Sequence, residues 1–376
     1  MYDVIVSGGG PAGAIAATVL ARRGARVLVL EREVFPRDKL CGDTLNPGTV
    51  AALGDLDLLD RVEPFASPID GMVVSGEHGI RIVGRYGGGV TGRAILRRDL
   101  DTALLGGAAV AGARVEHQVV VRGPLVDNSG RTTRVRGVIV QGRDGKDLRI
   151  PAPLVIAADG RRSRLAMAFG LLRHPRRPRR WAIGSYFEGV EGLGPYGEMH
   201  VRRGRYIGVA PVPSGLANVC VVTADRRALR NPDVLIQDSI RRDRLLAERF
   251  ASARMVRPPV SIGPLAVDAQ AAGFPGLLLA GDAAGFIDPM TGDGIHLAVR
   301  GAVLAAEAAL AALATGSAAH EHLAAARMDA LGSKLRFNRV LRKLVAVPIA
   351  VDVASVAAFV APRVLQSAVR YAGDVR

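Results

Sequence analysis

Residues 2–13 read Tyr2-Asp3-Val4-Ile5-Val6-Ser7-Gly8-Gly9-Gly10-Pro11-Ala12-Gly13, a β-branched run that breaks into glycines. The apolar run fits a short, buried parallel strand. Gly8, Gly10 and Gly13 spell G-x-G-x-x-G, and Ala14 to Arg23 predicts a helix. A second strand follows, Arg26-Val27-Leu28-Val29-Leu30, ending on Glu31 with Arg32 beside it. Strand, glycine turn, helix and strand closed by an acid make a Rossmann-type dinucleotide unit. Gly8 permits the tight turn, Gly10 lets backbone approach a pyrophosphate, and Gly13 lets helix pack on strand. Pro11 and Ala12 open the helix, whose N–H groups and dipole face the phosphates. The Glu31 carboxylate is placed to accept ribose hydroxyls. The motif alone does not separate FAD from NAD.

Two downstream segments extend the pattern. Leu154-Val155-Ile156-Ala157-Ala158 runs into Asp159-Gly160, and Leu277-Leu278-Leu279-Ala280 into Gly281-Asp282. Each strand would deliver an acid and a glycine to the carboxyl edge of a sheet, where ligands sit. After the second come Pro289-Met290-Thr291-Gly292-Asp293-Gly294-Ile295, opening a long helix to about Thr315. A turn of that kind can set N–H donors against developing negative charge.

Fingerprint, Asp-Gly motif and Gly-Asp motif, at these separations, resemble the FAD-dependent superfamily of aromatic hydroxylases, flavin halogenases and geranylgeranyl reductases. The likeness spans about residues 1–315. It implies FAD as resident cofactor, with Asp282 on the sugar-alcohol chain and Arg97, in Arg97-x-x-Leu100-Asp101-x-x-Leu104, reaching the FAD. No second dinucleotide fingerprint is found, so NAD(P)H or another donor would act as a transient reductant.

Within the superfamily, three segments resemble the geranylgeranyl-reductase branch: Phe35-Pro36-Arg37-Asp38-Lys39-Leu40-Cys41-Gly42-Asp43, Tyr206 to Val212 with Ala217-Asn218-Val219, and Gly292-Asp293-Gly294-Ile295. The halogenase W-x-W-x-I-P signature is absent, since Trp181 is the only Trp. Asp43 stands where many reductases carry a second Gly. Candidate catalytic residues are Cys41, either a buried hydrophobe or a thiol beside the flavin; His296, a proton donor or a packing group; and Tyr206, cavity wall or acid. Cys220, in a Val-Cys-Val-Val run, reads as strand packing.

The chain has 376 residues and a net charge of +15, nearly all from Arg, with only four Lys. The Arg residues are scattered, aromatics for base stacking are few, and no nucleic-acid motif appears, so nucleic acid is not an expected partner. Two distant cysteines make no disulfide framework. With no apparent leader and no run of about 20 apolar residues, the expected location is cytoplasmic. The basic tail, with Lys334, Arg336, Arg339, Arg342, Lys343, Arg363, Arg370 and Arg376, suggests either a membrane-surface helix or a helix packed on the protein's own core.

The expected fold class is α/β: a discontinuous FAD-binding domain (1–70, 93–172 and 268–325), an inserted mixed-sheet substrate domain (71–92 and 173–267), and a helical region over 326–376. The expected function is an FAD-dependent reductase of carbon–carbon double bonds in an isoprenoid or lipid-like substrate. The alternatives are an NAD(P)H-dependent monooxygenase and a non-catalytic FAD-binding interaction protein.

Overall fold

The protein is described from a computed structural model covering residues 1–39, 41–77, 81–130, 132–142, 145–175, 179–345, 367 and 369–375. Leu40, part of the Arg176-to-Arg180 run, the apolar stretch over 346–361, and the tail residues Arg363 and Arg376 lie outside them.

The opening residues build the first sheet. Val4–Ser7 pairs in parallel with Val27–Leu30 on one side and Leu154–Ala157 on the other. Arg114–Glu116, Leu277–Leu279 and the antiparallel Gly273–Phe274 complete six strands. Both faces are covered, which explains why these strands are continuous apolar runs rather than alternating ones. The fingerprint helix, Pro11–Arg22, packs on one face with Arg97–Val110 and Gly294–Thr315. Its small residues Ala12, Ala14, Ala16 and Ala17 are all buried. Gly13 shows why size matters: a Cβ there would stand 1.8 Å from the Gly8 carbonyl oxygen.

A second sheet of eight strands holds Trp181–Glu188, Tyr196–Arg202, Arg205–Val212 and Leu216–Thr223 in antiparallel array. Gly71–Ser75 joins it in parallel beside Tyr196–Arg202, followed by Arg81–Arg85. The fold is therefore a Rossmann-type α/β layer joined to a mixed sheet, as expected.

Beside the second sheet the helix Pro232–Arg241 stops at Arg241. Asp243, just past its end, turns inward to accept Leu245 N (2.9 Å) and Arg202 Nε (2.7 Å). The tail helix does not begin near 326 but runs Ala319–Val345, after Gly316, at φ +71°, ends the preceding helix. Leu323 and Leu331 are buried, as are Lys334 and Asn338, whereas Met328 and Val340 are exposed. Gly294–Thr315 is long and apolar enough to cross a membrane, but half of it is buried inside the protein, against the fingerprint helix.

Candidate functional site: three clefts in one line

The carboxyl edge of the first sheet opens into a cleft of ≈ 1320 Å³ lined by Gly8, Gly10, Glu31, Arg32, Asp159 and Gly160. Gly8 sits at φ +102°, and a Cβ there would lie 2.5 Å from the Ala158 carbonyl oxygen, so the turn accepts only glycine. Glu31 accepts the backbone N–H of Gly9 (2.7 Å) and of Glu33 (2.9 Å), locking turn to strand end.

This cleft shares Gly10, Lys39, Ala158 and Gly160 with a second one, of ≈ 990 Å³. The second is lined by Pro11, Ala12, Cys41, Gly42, Arg97, Gly281, Asp282, Pro289, Gly294 and Ile295. Gly281 is at φ +58°, facing Ala12. Asp282 is part-exposed, 3.9 Å from Arg161. The helix Gly294–Thr315 presents an N-terminus without a side-chain cap. Asp293, its N-cap, points away into buried partners: Asn46 Nδ2 (3.0 Å), Asn338 Nδ2 (3.0 Å) and Lys334 Nζ (3.3 Å). Burial lifts its carboxyl to about 6, against the pull of Lys334.

The third cleft, ≈ 930 Å³, lies against the second sheet. It shares Cys41, Gly42, Asn218, Cys220 and Pro289 with the second. Its further lining includes Leu45, Ile69, Met72, Tyr86, Met199, Tyr206, Val209, Met290 and Gly292. Tyr206 donates to Asp288 Oδ1 (2.6 Å), while Arg180 pairs with Asp288 Oδ2 (3.1 Å). Burial, then Asp288, pushes the Tyr206 phenol well up, so it keeps its proton.

Of the residues singled out in the sequence, all but Gly13 and His296 line one of these three clefts. Gly13 lies beneath, against Gly8. His296 is buried beside Gly48, with Nε2 3.3 Å from Asp374 Oδ2, and burial lowers its pKa. That turns it away from the second cleft, which the preceding Ile295 does line.

Three residues take roles that the motifs did not give them: Asp101, Asp43 and Cys220. Asp101 is fully buried and takes both Arg97 (Nε–Oδ1 and Nη2–Oδ2, both 2.8 Å) and Arg37 (2.9 Å). Arg97 Nη1 donates to the Cys41 carbonyl (2.6 Å), fixing the loop in which Cys41 holds φ +152°. Asp43 accepts Arg97 N at Oδ1 (2.9 Å), and Tyr186 Oη (2.8 Å) and Asn218 Nδ2 at Oδ2. Cys220 lines the second and third clefts rather than only packing its strand.

The lining fits a dinucleotide. Gly10 caps the fingerprint helix with no side chain, no acid occupies its first turn, and a Cβ on Gly10 would meet only Arg37 Nη2 at 3.6 Å. Those N–H groups face open space. Asp159 Oδ1 is buried without a partner, as an acceptor waiting for a hydroxyl is.

Comparison with known proteins agrees. The pattern defining FAD binding domain proteins matches residues 1–333. The chain belongs to that family. It is 31% identical to the menaquinone reductase of Mycolicibacterium smegmatis over 81% of this chain and 75% of the relative. It is 27% identical to the digeranylgeranylglycerophospholipid reductase of Methanosarcina acetivorans, over 86% and 78% respectively. Among solved structures, a myxobacterial chondrochloren halogenase aligns with TM-score 0.81 at 26% identity, covering 90% of this chain and 81% of that one. A geranylgeranyl bacteriochlorophyll reductase-like protein from Thermoplasma acidophilum shares the fold, with TM-score 0.79 at 24% identity over 92% and 87%. The protein is thus an FAD-dependent oxidoreductase of the geranylgeranyl-reductase family.

Proposed function

We propose that this oxidoreductase saturates carbon–carbon double bonds of a polyprenyl chain carried on a lipid or a quinone. The observation that carries this reading is the junction at Cys41, Gly42, Asn218, Cys220 and Pro289, where an apolar cleft meets the cofactor-side cleft. Leu45, Ile69, Met72, Met199 and Met290 give the third cleft flexible apolar walls, suited to a long, adaptable apolar chain. In this reading Gly8, Gly10, Pro11, Ala12, Glu31, Arg32, Asp159 and Gly160 hold the adenosine and pyrophosphate. Arg97, Gly281, Asp282, Gly294 and Ile295 hold the ribityl chain and ring. Reduced FAD supplies a hydride equivalent. Gly42 leaves room for the ring, and the walls of the third cleft keep water from it. NAD(P)H or another donor acts as transient reductant. Such a substrate resides in a bilayer, so we also propose that the protein works at a membrane surface, with the exposed Arg336 and Arg339 of its tail helix toward anionic lipid.

The test is anaerobic reoxidation of chemically reduced enzyme by menaquinone-type and geranylgeranyl lipids in detergent, set against aromatic compounds. Oxidation by a polyprenyl probe without oxygen supports the reading. Turnover that requires oxygen and an aromatic compound replaces it with the monooxygenase reading.

A further inference from the structure

Reduction of an alkene needs a proton as well as a hydride. Two carboxyl groups line the third cleft, Asp43 and Glu198. They differ in one respect that matters. Glu198 is bound by Arg249 at both oxygens (2.7 and 2.8 Å) and touches His200 Nε2 (2.9 Å). Asp43 is equally buried, yet among the described residues no Lys, Arg or His side chain forms an ion pair with it. The nearest guanidinium, on Arg97, is turned onto Asp101, which it shares with Arg37, and makes no ion pair with Asp43. The other groups facing Asp43 are Tyr186 and Asn218 from the second sheet, the Cys41 and Cys220 thiols nearby, and Arg257, which lies over the Tyr186 ring and is paired with Asp38 (2.6 Å). Burial favours the neutral form of such a carboxyl, and here it outweighs the hydrogen bonds from Tyr186, Asn218 and Arg97 N and the Arg97 charge, so the pKa is raised.

We infer that Asp43 is the proton donor to the substrate alkene at the junction of the two clefts. This rests on the proposed alkene reduction. The π bond breaks as one carbon takes hydride, two electrons and one hydrogen, from cofactor reduced by an NAD(P)H-class donor. The other carbon takes the proton from the Asp43 carboxyl. The carboxylate left behind is held by Tyr186 Oη, Asn218 Nδ2 and Arg97 N, and water returns its proton. Tyr206 cannot take this part, because its hydroxyl proton is committed to Asp288. His296 cannot, because it lines neither cleft.

The experiment has two arms on wild type, Asp43→Asn and Asp43→Glu. In the first, infrared spectra of the purified proteins are titrated with pH. A neutral-carboxyl band that persists well above the ordinary carboxylate range and vanishes in Asp43→Asn supports the inference. A titration of Asp43 in the ordinary range overturns it. In the second, reduced, FAD-loaded enzymes are reoxidised anaerobically by a menaquinone-type probe. Asp43→Asn should slow reoxidation by about 10²–10⁴-fold and flatten its pH profile, while Asp43→Glu restores part of the rate. An unchanged rate and profile in Asp43→Asn overturns the inference. A wild type that reacts with no polyprenyl probe sinks the proposed function instead, and the infrared arm then still decides whether Asp43 holds a proton.

Discussion

The Arg97 guanidinium grips the Asp101 carboxylate one helical turn later at two points, both 2.8 Å, while its third nitrogen reaches across to the Cys41 carbonyl. Asp101 is fully buried and also serves Arg37. One carboxylate therefore pairs with two cations beside the cofactor clefts, leaving a net positive charge there. Removing one partner of a buried pair leaves the other charge unpaired, at a cost of about 3–5 kcal/mol. Asp101→Ala is expected to lose stability of that size, read by urea unfolding of the apoprotein. It should also loosen the Cys41 loop, read as faster proteolysis between Phe35 and Asp43. A variant as stable as wild type would mean that water reaches the pair.

The glycines of the fingerprint separate folding from binding. Gly13→Ala places a Cβ 1.8 Å from the Gly8 carbonyl oxygen, so the helix must move off the strand. That variant should fold poorly whether or not FAD is supplied. Gly10→Val meets nothing but the end of Arg37, so its apoprotein should melt near wild type. It should nevertheless purify colourless, because the side chain fills the phosphate approach. Flavin content set beside melting temperature distinguishes the two; a yellow Gly10→Val protein would place the pyrophosphate elsewhere.

Asp282 tests the ring-side cleft. Its contact with Arg161 is long and part-exposed, and such pairs contribute about 0–1 kcal/mol. Asp282→Ala should leave apoprotein stability alone. Loss of a charge-assisted hydrogen bond to FAD, typically about 1.5–3 kcal/mol, should weaken flavin binding roughly tenfold or more. Fluorescence titration of apoprotein with FAD reads the effect, and an unchanged affinity reduces Gly281-Asp282 to a turn.

What the sequence made legible follows from distance along the chain. The strand–turn–helix unit is local, so its glycines and Glu31 reveal their roles from neighbours alone. Asp159 and Asp282 are readable because each ends a strand of the same sheet. Asp43 meets Tyr186 and Asn218 only in space, 143 and 175 residues away, and no local pattern marks that meeting. His296 misleads for a different reason. It follows Ile295 on the first turn, but about 100° of rotation per residue carries it round the helix and out of the cleft, against Gly48 and Asp374. The tail helix starts earlier than its basic residues suggest because its start is set by Gly316, not by charge.

Glu198 gives the protein an acid-sensitive anchor. Burial alone would raise its pKa; the hydrogen bonds from His200 and Arg249 and the Arg249 charge outweigh burial and hold it to about 2, below the ordinary 4.5. A group depressed on folding stabilises fully above its unfolded pKa and loses that contribution as pH falls through the folded one. The contribution, on the order of a few kcal/mol, should therefore fade between 4.5 and about 2. Arg249→Met should destabilise strongly at about pH 7 and much less at about pH 3, where Glu198 in the variant is already protonated. Urea midpoints at both values measure it; equal losses would show that Arg249 acts by packing alone.

The two cysteines yield the last expectation. Both line the passage between the second and third clefts, and burial pushes both thiols up, although Arg97 pulls Cys41 the other way. A thiol held protonated is a poor nucleophile. Folded protein at about pH 8 should thus be alkylated by iodoacetamide more slowly than a free thiol at either position, and both should react freely in urea. Rapid labelling of Cys41 alone would show that Arg97 wins over burial and would restore a reactive role for that sulfur. With both thiols held protonated, space rather than sulfur chemistry is what these positions should supply. Cys220→Phe puts a ring into the passage without touching Gly10, Glu31 or Asp282. It should bind FAD like wild type and be reduced like wild type. Its reduced form should react far more slowly with a polyprenyl probe, while Cys220→Ser and Cys41→Ser stay close to the parent. Undiminished reactivity in Cys220→Phe would mean that substrate reaches the ring by another route, and the third cleft would lose its assignment.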